Sequence, residues 1–296
     1  VRGWSSAEIQ DQCRRPYAQY ERERRNRYRD YFARNPNLAG TNPICARDLR
    51  SALPPGDDRL LGLVDVGDLH RWHLSGKSSQ TLALALLGSS MLADPSLGWL
   101  FATVEPMQPP PKAGEWPRSQ LELTLDPELL GERPFPTALD FFAEADEWVL
   151  CIEAKWTEAG LGTCRCPAPE LGECSDRILG RPAYWRAAKQ FLGLPKRTEG
   201  RPCPIHVGYQ AVRNAAAAAA LAAGRRAIFG LIYDEDNPYF AGAGNWPGWP
   251  VILSAAVEEQ ADSAVNFASC SWQALVPQLP LRQPAMDWAR EKHGLG

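Results

Sequence analysis

No run of about 18 apolar residues occurs in the chain, so no segment reads as a membrane-crossing helix. Charge of one sign is also lacking. Lys and Arg number 32 against 35 Asp and Glu, a formal net charge of −3. That balance removes the global electrostatic signature of a nucleic-acid-binding protein and confines any such contact to local basic patches. No apolar signal-peptide core follows Val1-Arg-Gly-Trp-Ser, and Val1 in place of Met reads as a trimmed or renumbered start. A cytoplasmic location is expected. No internal repeat is found. The 296 residues are 45% apolar and 23% charged, which excludes a disordered chain. They suffice for one large α/β domain, or for a core domain with an extension.

Residues 6–34 read as a polar helix or two. Within them, Glu21-Arg-Glu-Arg-Arg-Asn-Arg-Tyr-Arg-Asp30 carries arginine in excess. Such a run is a solvated helix face or a helix that meets a nucleic-acid backbone. Residues 35–58 are punctuated by Asn-Pro, Pro-Pro and Gly-Asp-Asp and read as loop. A helix is expected from Ser78-Ser-Gln through Leu87, with serine as its cap. Residues 107–118 are Pro-rich and read as a surface connection. Strands are expected at 137–144 and 149–155, with a turn at Ala145-Asp-Glu-Trp148. Residues 160–204 are rich in Gly, Pro and Cys and look like an insertion. A helix at 208–223 containing Ala215 through Ala220 should stop at Gly224. A strand at 227–233, a Gly/Pro/Trp loop at 234–250, and a strand near 266–270 complete the chain, with a short helix from Ser271.

The hairpin carries the chemistry. A turn symmetric about the 146–147 bond pairs residues whose numbers total 293, which sets Asp140 opposite Glu153. Opposed residues of an antiparallel pair share a face, with Cβ atoms about 5 Å apart. Lys155, two residues on, shares that face. Leu139 and Phe141 should alternate away from Asp140. Two carboxylates and an ammonium at one solvent-open spot suit divalent-metal phosphodiester hydrolysis: Mg²⁺ takes hard oxygen ligands, and the ammonium can orient water. An ordinary Glu–Lys salt bridge at a strand end fits the spacing equally well, since E-x-K is short and common.

Pro136-Thr-Ala-Leu-Asp140, twelve residues, then Glu153-Ala-Lys155 resembles the PD-(D/E)XK nuclease superfamily. Gln210, Arg213 and Asn214 follow at i, i+3 and i+4 on one helix face, as in the Gln-bearing helix of many members. The element order is similar to the core of that superfamily, and the Ser79-Gln80 helix start resembles that of bacterial restriction endonucleases. The resemblance covers roughly residues 75–235. It departs in the long insertion after Lys155 and in Gln-x-x-Arg-Asn where one branch has Gln-x-x-x-Tyr.

Eight cysteines are present. Clustered cysteines in a cytosolic chain suggest metal more than disulfides. Cys164, Cys166, Cys174 and Cys203 could close a Zn²⁺ site or hold an iron–sulfur cluster, or be unrelated. His206 could replace Cys203. His70 and His73 form H-x-x-H without an adjacent carboxylate and read as structural or surface residues. The insertion holds Arg165, Arg177, Arg181, Arg186, Lys189, Lys196, Arg197 and Arg201 with Tyr184 and Trp185, a mixture that suits gripping a nucleic-acid strand or a solvated loop.

The expected fold is α/β: a restriction-endonuclease-like core, a mixed central sheet flanked by helices, at residues 75–296, with the cysteine-bearing insertion at about 160–204 and a helical extension at 1–74. The expected function is Mg²⁺-dependent (or Mn²⁺-dependent) DNA hydrolysis in restriction or defence against phage. In it Asp140 and Glu153 bind metal, Lys155 handles water, Gln210 supports the site and Gln80 lines it. DNA is the expected partner, with a homodimer or a defence-system protein as a further one. The alternatives are a nuclease of repair, transposition or RNA cleavage, and an inactive zinc-stapled interaction protein.

Overall fold

The computed structural model describes residues 4–103, 116–132, 136–163, 182–194, 203, 205–260, 263 and 265–296. Helix α1 (Ser6–Arg34) is a single helix despite Pro16 within it. Ser5 and Glu8 form a capping box at its start, which fixes the entry of the chain. Helix α2 (Ser79–Ala93) begins where serine caps it: the Ser78 side chain accepts the Thr81 N–H. Every residue of α2 from Thr81 to Ser90 is buried. A helix apolar on all sides must be wrapped by the rest of the molecule.

One mixed sheet of five strands follows in the order β1-β2-β3-β4-β5. They are β1 (Arg118–Thr124), β2 (Ala138–Glu144), β3 (Trp148–Ala154), β4 (Arg226–Tyr233) and β5 (Val265–Ser271). β1, β2 and β3 are antiparallel neighbours, whereas β3, β4 and β5 run parallel. The parallel pairs require crossovers. Helices α3 (Pro182–Leu192) and α4 (Tyr209–Ala222) lie between β3 and β4 in the chain, and α5 (Trp249–Glu258) between β4 and β5.

Two apolar layers cover the sheet. On one face, Val149, Cys151, Phe229 and Leu231 meet Ala211, Ala215 and Ala218 of α4, with Tyr184 and Phe191 of α3 behind. The alanines let α4 approach the strands closely. On the other face, Leu150, Ile152, Ala154 and Ile228 meet α2 and the C-terminal segment. α1 contributes to both layers, Ile9 and Cys13 to the first, Tyr28, Tyr31 and Phe32 to the second. It also holds the chain just past β3. The Tyr20 hydroxyl donates to Trp156 O at 2.8 Å, and the Arg24 guanidinium lies 4.4 Å from the Trp156 ring centroid.

Three sequence expectations change. β1 was not anticipated; its Leu121-Glu-Leu123 core is short and follows the Pro-rich stretch. α3 occupies part of the expected insertion, with Tyr184, Ala187, Ala188 and Phe191 at helical spacing on its buried face. Tyr184 and Trp185 are therefore packing residues, and neither is free to grip a strand. Leu139 and Phe141 do not share a face: Leu139 joins the α4 layer and Phe141 the α2 layer. The strand turns over at Asp140. Among the described residues no helix is long and apolar enough to cross a membrane.

Candidate functional site

The β2–β3 hairpin has the register that a symmetric turn dictates. Phe141 faces Ile152, Phe142 faces Cys151, Ala143 faces Leu150 and Glu144 faces Val149. One step further, Asp140 stands at the position opposite Glu153. There the ladder gives way, and Asp140 Oδ2 accepts the backbone N–H of Ala154 at 2.7 Å. On the other flank, Leu121 faces Phe141 and Leu123 faces Leu139, so the position between them, Glu122, falls opposite Asp140. Three carboxylates thus occupy one row across three adjacent strands: Glu122, Asp140, Glu153.

Glu153 is the most fully held of the three. Lys155 Nζ lies 2.6 Å from its Oε1, and Gln210 Nε2 donates to the same oxygen at 3.1 Å. Asn214 Nδ2 donates to Oε2. Gln210 and Asn214 are four residues apart, so one face of α4 delivers both amides. Gly162 makes this possible. A Cβ at that glycine, whose φ is +67°, would stand 2.9 Å from Gln210 Oε1. Glu153 and Lys155 are buried, 3% and 5% exposed, and not solvent-open as the sequence suggested. Helix α4 lies over them, whereas Asp140 is half-buried.

The electrostatics separate the three acids. Burial pushes Glu153 up, but Lys155 and Arg213 nearby, with the hydrogen bonds from Lys155 and Asn214, outweigh it and hold the carboxyl below its usual range. Burial and then the Glu153 charge raise Asp140 to about 7, against the pull of Lys155 and the Ala154 N–H. Burial and the Asp140 charge raise Glu122 to about 9. Lys155 is driven up: burial opposes its charge, and Glu153, Glu158 and Asp140 more than offset that.

Glu122 is the residue that sequence reasoning missed. Its φ is +51°, a left-handed conformation costing a non-glycine residue about 1–2 kcal/mol. Its Oε2 accepts from Gln80 Nε2 at 2.6 Å, and Gln80 Oε1 in turn accepts the His70 N–H at 2.7 Å. Glu122 Oε1 is buried with no hydrogen-bond partner, and so is Asn214 Oδ1 beside Glu153. Gln80 therefore reaches the acid row through Glu122. Its neighbour Ser79 donates to Glu158, which also accepts the Trp156 N–H at 2.7 Å. The only signal in the sequence was an acid between two leucines in a strand-like alternation.

His70 and His73 belong to a tight turn in front of α2. The His73 N–H donates to His70 O at 2.8 Å, and His73 Nδ1 lies 2.7 Å from the same oxygen. The turn displays Trp72, 58% exposed, with the Arg71 guanidinium 5.0 Å from its ring centroid. Of the four cysteines considered for metal, Cys203 is buried. Cys164, Cys166 and Cys174 lie outside the described residues. Among the described residues no group of three or more His, Cys, Asp or Glu side chains is placed to hold a metal ion.

The arrangement brings three carboxylates and one ammonium together, with Glu122 Oε1 and Asn214 Oδ1 buried and without a hydrogen-bond partner. In the comparisons with known proteins, the family described as Restriction Endonuclease associating with ARP matches residues 13–291. No curated protein and no solved structure matches the chain.

Proposed function

The chain belongs to the family of restriction endonucleases associating with ARP, and from that membership we propose that it is a Mg²⁺-dependent nuclease of the PD-(D/E)XK kind, cutting DNA phosphodiesters in restriction or phage defence. The observation that carries this reading is the cross-strand placement of Asp140 beside Glu153, with Lys155 Nζ 2.6 Å from the Glu153 carboxylate. A metal-free structural salt bridge has no need of a second, half-buried acid at the next strand position, where the two charges repel.

The residues divide the work by their surroundings. Asp140 and Glu153 would hold the cation. When bound, it would neutralise charge building on the scissile phosphate. Glu153 is oriented for that role by Gln210 and Asn214. Lys155 keeps its proton and presents a fixed positive charge at the acid pair, where it can stabilise a negatively charged attacking oxygen or phosphate. Arg71 and Trp72, exposed on the turn tied through Gln80 to Glu122, would receive the strand, the ring against a base and the guanidinium toward a phosphate. The family description implies a partner called ARP, and we extend that association to this chain.

The test is a substrate panel. Purified protein is incubated with plasmid, single-stranded DNA and RNA, each with Mg²⁺, Mn²⁺ or EDTA. The proposal expects DNA cleavage that needs the cation. Cleavage of RNA alone would move the protein to a different nuclease class, and equal cleavage in EDTA would remove the cation from the account.

A further inference from the structure

Helix α1 carries a stripe of arginines. At about 100° per residue, Arg14, Arg15, Arg22, Arg25 and Arg29 fall within an arc of about 100°. All five are exposed. They span about 22 Å of the helix axis, at about 1.5 Å per residue. Of the five, Arg25 alone has an acidic partner among the described residues, Glu21 at 3.5 Å. Asp11, one turn before Arg14 and Arg15, pairs with neither. The other acids of this stretch are sorted away from the stripe. Glu21 is also held by Lys77, and Glu23 and Asp30 line a cleft of about 720 Å³ on the other flank, with Asp236 and Glu291. Like charges three and four residues apart, as in Arg22, Arg25 and Arg29, weaken a helix. In a chain of net charge −3, composition alone does not produce that accumulation.

The stripe sits on a fixed rod. The inner side of α1 buries Cys13, Tyr20, Tyr28 and Phe32. The flank next to the stripe leads toward the acid row. Glu21 and Tyr28, seven residues apart, meet the segment in front of α2: Lys77 pairs with Glu21, and a Cβ on Gly76 would stand 2.5 Å from Tyr28 Cγ. The Thr157 hydroxyl, two residues beyond Lys155, donates to Lys77 O at 3.0 Å, and the Tyr17 hydroxyl of α1 donates to Thr157 O at 2.6 Å. The arginines therefore run beside the segment that joins the Arg71–Trp72 turn to the end of β3.

We propose that the arginine stripe of α1 is a docking surface for the phosphate backbone of duplex DNA, gripping the substrate beside the scissile bond rather than at it. This rests on the reading of DNA as the substrate. Guanidinium groups offer two-pronged donors to phosphate oxygens. A straight array of about 22 Å matches about six base pairs of one strand, at about 3.4 Å each. A protein partner would need aromatic or apolar anchors, and a membrane surface an apolar face. Between Arg14 and Arg29 the stripe offers only Ala18 besides its arginines. Phosphate contacts fix register and orientation without reading sequence, so the stripe supplies affinity and alignment and leaves base choice to other residues.

The experiment measures binding without cleavage. Fluorescence anisotropy follows a labelled 30-base-pair duplex in EDTA at several salt concentrations, for the full chain and three triple variants. Arg22→Gln/Arg25→Gln/Arg29→Gln should bind about tenfold or more weakly, with a slope of log affinity against log salt shallower by about 2 to 3, since each lost phosphate contact removes about 0.9. Arg22→Lys/Arg25→Lys/Arg29→Lys keeps the charge and should keep the slope. Arg50→Gln/Arg59→Gln/Arg290→Gln removes the same charge from exposed arginines paired with Asp58, Asp57 and Asp287, and should change affinity less than about twofold. All three should melt within about two degrees of wild type, because the replaced side chains are exposed. Wild-type affinity and slope in the first variant overturn the stripe and leave the DNA reading intact. An equal loss in the third variant also overturns it, because net charge would then explain the effect. No duplex binding by wild type overturns both this inference and the DNA reading it rests on.

Discussion

Lys155 Nζ lies 2.6 Å from Glu153 Oε1 with both side chains buried, so each charge is neutralised by the other inside the molecule. Removing one partner leaves the other charge uncompensated, which costs about 3–5 kcal/mol in buried pairs. Here Arg213, Gln210 and Asn214 still act on Glu153 and bring the expected loss for Lys155→Met toward about 3 kcal/mol. Adding Glu153→Gln should recover most of that stability and none of the cleavage. Urea unfolding of the two single variants and the double variant checks the first half. A double variant less stable than both singles would contradict the pairing.

Trp72 and Arg71 give a prediction about substrate and none about folding. The ring is 58% exposed and buries little, so Trp72→Ala should leave the melting temperature unchanged within about a degree or two. Loss of one stacked base should weaken binding of single-stranded DNA by about 5- to 150-fold, at roughly 1–3 kcal/mol per base. Trp72→Phe should retain most of the affinity. Fluorescence anisotropy with a labelled oligonucleotide in EDTA makes the measurement independent of cleavage. Unchanged affinity for Trp72→Ala would remove the turn from the nucleic-acid surface.

The hairpin was legible because a strand pair converts sequence arithmetic into geometry. Once the turn at 145–148 is placed, the partners of every residue follow, and the amides of α4 follow from helical spacing. Glu122 was not legible. Its place in the row depends on β1 pairing with β2, a contact set by tertiary packing, and on a backbone reversal that no residue type announces. Burial of Glu153 and Lys155 was misjudged for a related reason. The alanine face that marks α4 as a helix also lets it sit low enough to cover them. Tyr184 and Trp185 looked like a nucleic-acid surface because aromatic and basic residues interleave there. The same spacing is that of an amphipathic helix, and packing against α4 decided between them.

Lys292 predicts a pH dependence remote from the acid row. It is 1% exposed, donates to Ala52 O at 2.6 Å and lies 4.7 Å from the Trp288 ring centroid. Burial lowers it to about 7, whereas an unfolded lysine titrates near 10.4. Between those values the unfolded chain binds more protons than the folded one, so this residue makes stability rise with pH from about 7 to about 10. Below about 7 the penalty for the buried charge is fully present. Lys292→Met should therefore raise stability most at pH 6, by a few kcal/mol at about 1.4 kcal/mol per tenfold change in protonation, and least at pH 10. Denaturant midpoints at the two pH values decide it. A gain that is equal at both would mean that the folded lysine titrates normally.

Asp140 is the residue on which the whole account turns, since the proposed cation would be held by it together with Glu153. Its carboxyl is raised to about 7 by burial and by the Glu153 charge, so neutralising it should not harm the fold. The direct measurement is the rate of plasmid cleavage in Mg²⁺ by wild type and by Asp140→Asn, alongside their melting temperatures in EDTA. The predicted result is a melting temperature at or above wild type and a cleavage rate lower by about 10³ or more, the loss of several kcal/mol of transition-state stabilisation. Cleavage by Asp140→Asn at the wild-type rate, on a substrate that wild type demonstrably cuts, would contradict the assignment of this site.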